Sequence, residues 1–172
     1  VAREIIRNDV PYVMLCGGEP LVVSHFFDLA RTLGEAGVHL KIETNGQRFD
    51  AGVAASLAAL PIRSIQISLD GDSEETYGRQ RVGGSLARAH AACRAARAAN
   101  LPLEVTFAPT RLNIHEAEQV IERARSLGAF RFNTGKLMRI GTAARLWDKL
   151  EVDMAQYRRF FDLLERQSTL EG

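Results

Sequence analysis

The sequence predicts an α/β fold in which parallel strands alternate with helices. Two observations carry that prediction. Short β-rich apolar runs recur at Tyr12–Leu15, 38–42, 62–69, Leu103–Phe107 and 130–132. Between them lie stretches whose apolar residues repeat at the 3.6-residue period of helices that lay one face on a sheet. Strands separated by helices require right-handed parallel crossovers, so the product is either an open doubly wound sheet or a closed or partial β/α barrel. Composition leaves that choice open.

Taken in order, the first strand runs into Cys16-Gly17-Gly18-Glu19-Pro20. The second strand ends in Glu43-Thr44-Asn45-Gly46 and the third in Ser68-Leu69-Asp70-Gly71. Leu86, Ala89, Cys93 and Ala96 then mark a helix whose small residues suit close packing on the strands beneath. A later helix carries Ile114, Ala117, Val120, Ile121, Ala124 and Leu127 on one stripe. Asn113 is placed to cap it, with Glu116 at the reciprocal position, and Gly128 to stop it. After a less regular stretch at 136–150, Asp153 is placed to cap a last helix with Met154, Tyr157, Phe161 and Leu164 on one face. No linker divides the chain, so a single domain over 1–172 is expected, with βα repeats to 150 and a C-terminal helix over 151–172.

The chain has 172 residues, 46% of them apolar, enough for one sizeable core. Lys and Arg total 22 against 21 Asp and Glu, a net charge of +1 that gives no electrostatic basis for nucleic acid or an anionic membrane as partner. No apolar run approaches the roughly 18 residues of a membrane span, and residues 1–8 lack the pattern of a signal peptide. A cytoplasmic protein is the expectation. The two cysteines, Cys16 and Cys93, are far apart and support neither a disulfide framework nor a metal site; both are expected to be buried thiols.

Ligands of parallel β/α folds bind at the C-terminal ends of the strands. Gly17 and Gly18 leave the main chain bare there, and their carbonyls together with the Glu19 carboxylate form a nest of acceptors suited to an ammonium group; taken alone, the motif equally fits a tight βα turn that uses glycine for positive φ. Asn45-Gly46 alone is a turn signal. Ser68 and Asp70 share one side of their strand by its period of two, though Asp-Gly also commonly ends strands, with Asp70 then serving only to cap the next helix. Arg81 lies in a stretch ending at Gly83-Gly84, and a guanidinium offers a carboxylate two parallel donors, though a lone Arg is more often a surface charge. His25, His39, His90 and His115 read as surface or helix residues rather than catalytic groups.

The order of these pieces, Gly-Gly-Glu-Pro, Thr-Asn-Gly, Ser-Leu-Asp-Gly and an Arg before Gly-Gly-Ser after successive strands, resembles the radical S-adenosylmethionine (radical SAM) superfamily. Within it the resemblance is to the branch with a C-terminal extra-cluster (SPASM-type) domain, which includes the pyrroloquinoline quinone synthesis enzyme. The resemblance implies a partial parallel β/α barrel lacking its first strand. It implies a S-adenosylmethionine pocket in which Gly17, Gly18 and Glu19 accept from the amino group and Pro20 fixes the turn. Ser68 and Arg81 would hold the carboxylate, Asp70 would support the strand end, and Thr44 and Asn45 would shape the neighbouring wall. Residues 137–141 would lie near adenine and ribose. The cofactors implied are S-adenosylmethionine and a four-iron, four-sulfur cluster. The partners implied are a peptide or small-molecule substrate and an electron donor such as flavodoxin or ferredoxin. The implied activity is reductive cleavage of S-adenosylmethionine to a deoxyadenosyl radical that abstracts hydrogen in cofactor or peptide maturation.

In one place the sequence departs from that family: it contains no Cys-x-x-x-Cys-x-x-Cys, and Cys16 is a poor substitute. The cluster ligands are therefore expected upstream, and this piece is expected to be inactive on its own. Two rival readings stand beside this one. A phosphate- or sugar-binding β/α enzyme is opposed by Glu19, which would repel an anion at the glycines. A cluster-free domain serving as a binding or scaffold module is told apart by whether the cysteine motif is encoded upstream.

Overall fold

A computed structural model describes residues 1–169 of the chain. α1 (Ala2–Arg7) leads into β1 (Tyr12–Leu15), and a one-turn 3-10 helix (Pro20–Val22) precedes α2 (Phe26–Glu35). The chain continues through β2 (His39–Thr44), α3 (Ala51–Ala58), β3 (Ile62–Ser68), α4 (Glu74–Gln80), α5 (Leu86–Ala98) and β4 (Leu103–Phe107). A second 3-10 turn (Ile114–Glu116) opens α6 (Ala117–Ser126), followed by β5 (Arg131–Thr134), α7 (Gly141–Arg145), α8 (Trp147–Leu150) and α9 (Met154–Thr169). Residues 170–172 of the expected C-terminal helix lie outside the described residues.

All strand pairings are parallel and the order is β1-β2-β3-β4-β5. A doubly wound sheet reverses its strand order at a switch point, whereas a β/α barrel does not. The architecture is therefore the expected partial barrel. β2 and β5 each run two residues further than their sequence patterns indicate, to Thr44 and Thr134.

The two faces of the sheet differ in chemistry. On the outer face Leu40, Ile42, Ile65, Ile67, Val105 and Phe107 are buried beneath the helices. Burying each such side chain stabilises the fold by roughly 1.5–3 kcal/mol. α5 covers this face with Leu86, Ala89, Cys93 and Ala96, as expected, and with Ala92. The approach is so close that a Cβ on Gly46 would lie 3.2–3.3 Å from Ala92, Ala89 and Ile67. With φ at +75°, the turn after β2 admits glycine for both reasons.

The buried stripe of α9 is not the expected one. Met154 and Phe161 are exposed, while Tyr157, Phe160 and Leu163 are buried and Leu164 is half-buried. The helix is rotated so that the Phe160 ring meets Phe107 at 6.0 Å, and Phe107 in turn stacks on Phe132 at 6.3 Å. Asp153 does cap the helix, accepting from the Gln156 N–H at 2.7 Å. On α6, Ala117, Val120, Ile121 and Ala124 are buried as predicted, and Gly128 follows at φ +78°.

The inner face is polar. β2 and β3 are out of step between Leu40 and Lys41, where Leu40 pairs with Ile62 but Lys41 with Ser64, so Arg63 is an extra residue. That bulge lets Ile62 pack outward while Gln66 points inward. Lys41 Nζ donates to Glu104 Oε2 at 2.7 Å, and Asn133 Nδ2 donates to the same oxygen at 2.6 Å and to Gln66 Oε1 at 3.0 Å. Gln66 Nε2 then reaches Glu43 Oε1 at 2.9 Å. Burial alone would raise the Glu104 pKa, but its hydrogen bonds, led by that from Lys41, hold it below the ordinary carboxylate value.

Candidate functional site

The strand ends are built from the glycines outward. Gly17 has φ +119°, a conformation that side chains rarely adopt, and both Gly17 and Gly18 are exposed. A Cβ on either would meet no atom within 4 Å, so neither glycine is required for internal packing. Their main chain faces open space, where a ligand has unobstructed access.

Glu19 is turned inward instead. Its Oε1 accepts from Leu21 N at 3.2 Å and Thr44 Oγ1 at 2.7 Å, and its Oε2 accepts from Asn45 N at 2.8 Å. The carboxylate thus ties the end of β1 to the end of β2. Pro20, buried, occupies the first position of the 3-10 turn that Glu19 caps. Thr44 is buried, and its hydroxyl also accepts from Gly46 N at 3.1 Å. Asn45 Oδ1 accepts from Gln47 N at 2.9 Å.

The end of β3 is tied to its neighbours just as closely. Asp70, almost completely buried, accepts from Arg81 Nε at 2.6 Å and from Ala108 N at 2.8 Å. It does not cap the next helix; Ser73 does, accepting from Thr76 N. Arg81 ends α4 with its side chain one-third exposed, and its two terminal nitrogens have no partner among the described residues. An open cavity of about 420 Å³ lies here, lined by Asn45, Asp70 and Arg81 of the predicted residues, together with Gln47 and Tyr77. Gly17, Gly18, Glu19, Pro20, Thr44 and Ser68 do not line it. Ser68 is half-buried on the inner face and makes no side-chain hydrogen bond among the described residues.

Three expectations are corrected. Asn113 does not cap the following helix with its side chain. Its amide is consumed at the strand ends, donating to Asp70 O and Ala108 O at 3.0 Å and accepting from Thr110 N at 2.7 Å. Glu116 does not reach back to Asn113. It accepts from Asp72 N, Ser73 N, Ser73 Oγ and Thr76 Oγ1, four donors at the start of α4 that outweigh a local contact. Those bonds hold its pKa below the ordinary value, although burial alone would raise it. Cys16 is exposed, lying just past the end of β1; only Cys93 is buried, its thiol pKa pushed up to about 12 by burial.

Gln47, Tyr77 and the inner-face polar network escaped the motif reading. The network did leave a signal: Lys41, Glu43 and Glu104 alternate with apolar residues in strands whose parallel pairing would otherwise favour continuous apolar runs.

The sequence profile of the Radical SAM superfamily matches residues 1–135. The chain belongs to this superfamily. It is 33% identical over 165 residues to the mycofactocin maturase MftC of Mycolicibacterium smegmatis, covering 95% of this chain and 42% of the relative. It is 32% identical over 160 residues to the PqqA peptide cyclase of Rhodopseudomonas palustris, covering 91% of this chain and 42% of that one. The radical SAM chain thus spans about two-fifths of the length of these relatives. Among solved structures, Streptococcus suis SuiB bound to S-adenosylmethionine superposes with a TM-score of 0.80 at 17% identity, covering 98% of this chain and 39% of SuiB. That likeness shows the shared fold. These relatives bear out the resemblance to the branch of cofactor and peptide maturation enzymes.

No helix of the described residues is long and apolar enough to cross a membrane. Nor do the described residues contain a group of three or more His, Cys, Asp or Glu side chains arranged to hold a metal ion.

Proposed function

We propose that this chain is the S-adenosylmethionine-binding part of a radical SAM maturase acting on a peptide. What supports the reading most is the free guanidinium face of Arg81. Its Nε is fixed on buried Asp70 while its terminal nitrogens face an open cavity at the strand ends. Such an arrangement suits a ligand carboxylate, which two parallel N–H donors hold in one orientation. The bare carbonyls of Gly17 and Gly18 suit the ammonium of the same amino acid. Glu19, already bonded to Thr44 and Asn45, stiffens that edge and lends it negative charge. Ser68 extends the carboxylate side from the inner face, and Asn45 forms the wall between the two halves.

When bound, the cluster and S-adenosylmethionine supply one-electron reductive cleavage and a deoxyadenosyl radical for hydrogen abstraction. This chain's residues bind, orient and shield the cofactor. Its two cysteines sit in unrelated environments and do not suit a cluster, so the ligands are expected in another segment. A peptide substrate is supported by relatives named as a peptide cyclase and a mycofactocin maturase, with flavodoxin or ferredoxin as the class of electron donor. The full chain, loaded anaerobically with its cluster and given a strong reductant, should convert S-adenosylmethionine to 5′-deoxyadenosine and methionine. An intact, reducible cluster that leaves S-adenosylmethionine uncleaved would refute the proposal.

A further inference from the structure

Gln47 joins the two halves of the strand-end site. Its Oε1 accepts from Ser85 N at 2.9 Å, and its Nε2 donates back to Ser85 O at 3.1 Å. The same Nε2 lies 3.3 Å from Asn45 O and 3.3 Å from the Tyr77 hydroxyl. The two-way pair with Ser85 fixes which way the amide points, because only an amide both donates and accepts there.

Each contact leads to one side of the cavity. Asn45 N is held by Glu19, which carries the Gly17 and Gly18 edge. Tyr77 is fully buried on α4, and its carbonyl accepts from Arg81 N at 2.7 Å. Ser85 follows the Arg81 loop and caps α5, with Gly84 N bonded back to Arg81 O at 2.8 Å. A continuous path therefore runs from Glu19 through Asn45, Gln47 and Ser85 or Tyr77 to Arg81 and Asp70.

We propose that Gln47 is a positioning residue that sets the span between the ammonium-accepting edge and the carboxylate-binding guanidinium. This rests on the reading of the site given above. A rigid zwitterionic ligand is held at both ends only when the two partners stand at its own length, and errors of about 1 Å cost much of the gain from the second contact. Although Gln47 borders the cavity, all the hydrogen bonds of its amide go to Asn45, Tyr77 and Ser85, so its role is to fix the distance between the groups that hold the ligand.

The test compares two ligands that differ in one group. S-adenosylmethionine engages both halves, whereas decarboxylated S-adenosylmethionine keeps the ammonium and lacks the carboxylate. In the cluster-loaded full chain, Gln47→Ala should weaken S-adenosylmethionine binding about tenfold while changing the affinity for the decarboxylated ligand less than twofold. Gln47→Glu, nearly the same shape, should act the same way because a carboxylate cannot donate to Ser85 O, and it serves if the alanine variant fails to fold. Equal losses for both ligands, or no loss for either, would overturn the positioning role. Failure of the underlying site reading looks different: the unsubstituted protein would then bind both ligands equally, and Arg81→Ala would change neither.

Discussion

Arg81 Nε donates to Oδ2 of Asp70 at 2.6 Å, an ion pair joining the end of α4 to the end of β3, and the other Asp70 oxygen holds Ala108 N beyond β4. One buried carboxylate therefore aligns three consecutive pieces of the barrel mouth. Asp70→Ala would strand both donors and is expected to lower stability by about 2 kcal/mol, read from urea denaturation midpoints. Part of the Arg81 interaction is screened by solvent, which keeps the figure at the low end. Asp70→Asn, which can still accept one of the two bonds, should recover part of it.

Inside the barrel, Glu104 and Lys41 form an ion pair with side chains only 3% and 14% exposed. Removing one partner leaves the other charge poorly solvated, so Lys41→Met or Glu104→Gln should each cost about 3 kcal/mol. The double variant should cost less than the sum, measured by a double-mutant cycle.

The same carboxylate sets an acid-side dependence, together with Glu116. Both have folded-state pKa values below their unfolded values of about 4.3, so their stabilisation is present above that pH. It is lost as pH falls through the lower folded values. Denaturation midpoints should drop below about pH 4.5, and Glu116→Gln should make that drop shallower. An unchanged slope in Glu116→Gln would show that its four hydrogen bonds do not favour the charged form.

Thiol reactivity separates the two cysteines. Exposed Cys16 should label with iodoacetamide under native conditions, while Cys93, at a pKa of about 12, should label only after unfolding. Mass spectrometry of the labelled peptides reads the difference directly.

Much of this architecture was legible in the sequence, because local pattern and tertiary context agree there. Leu103–Phe107 and Tyr12–Leu15 show strand character in isolation, and the small residues of α5 announce its close packing on the strands, though not that Gly46 would be the point of closest approach. What escaped depends on contacts distant in sequence. Glu116 sits at the right spacing for a local cap, yet it serves Asp72, Ser73 and Thr76 instead. Met154 and Phe161 fit a helical stripe as well as Phe160 does, and only the position of Phe107 decides which face is buried. At the site, the motifs mark Gly17, Glu19, Asp70 and Arg81 but are silent on Gln47, whose importance lies in what it joins. The direction of the Glu19 carboxylate was equally hidden, since its partners Thr44 and Asn45 come from another strand.

In the proposed site the strand ends hold the amino-acid moiety of S-adenosylmethionine, with Arg81 as the carboxylate partner. Calorimetric titration of S-adenosylmethionine into the cluster-loaded full chain tests it most directly. Arg81→Ala should weaken binding by about 1.5–3 kcal/mol, as for a lost charge-assisted hydrogen bond, and Arg81→Lys should restore only part because a point charge cannot reproduce the fork. An affinity within about 0.5 kcal/mol of the unsubstituted protein in Arg81→Ala, the range of an ordinary surface substitution, would contradict the account.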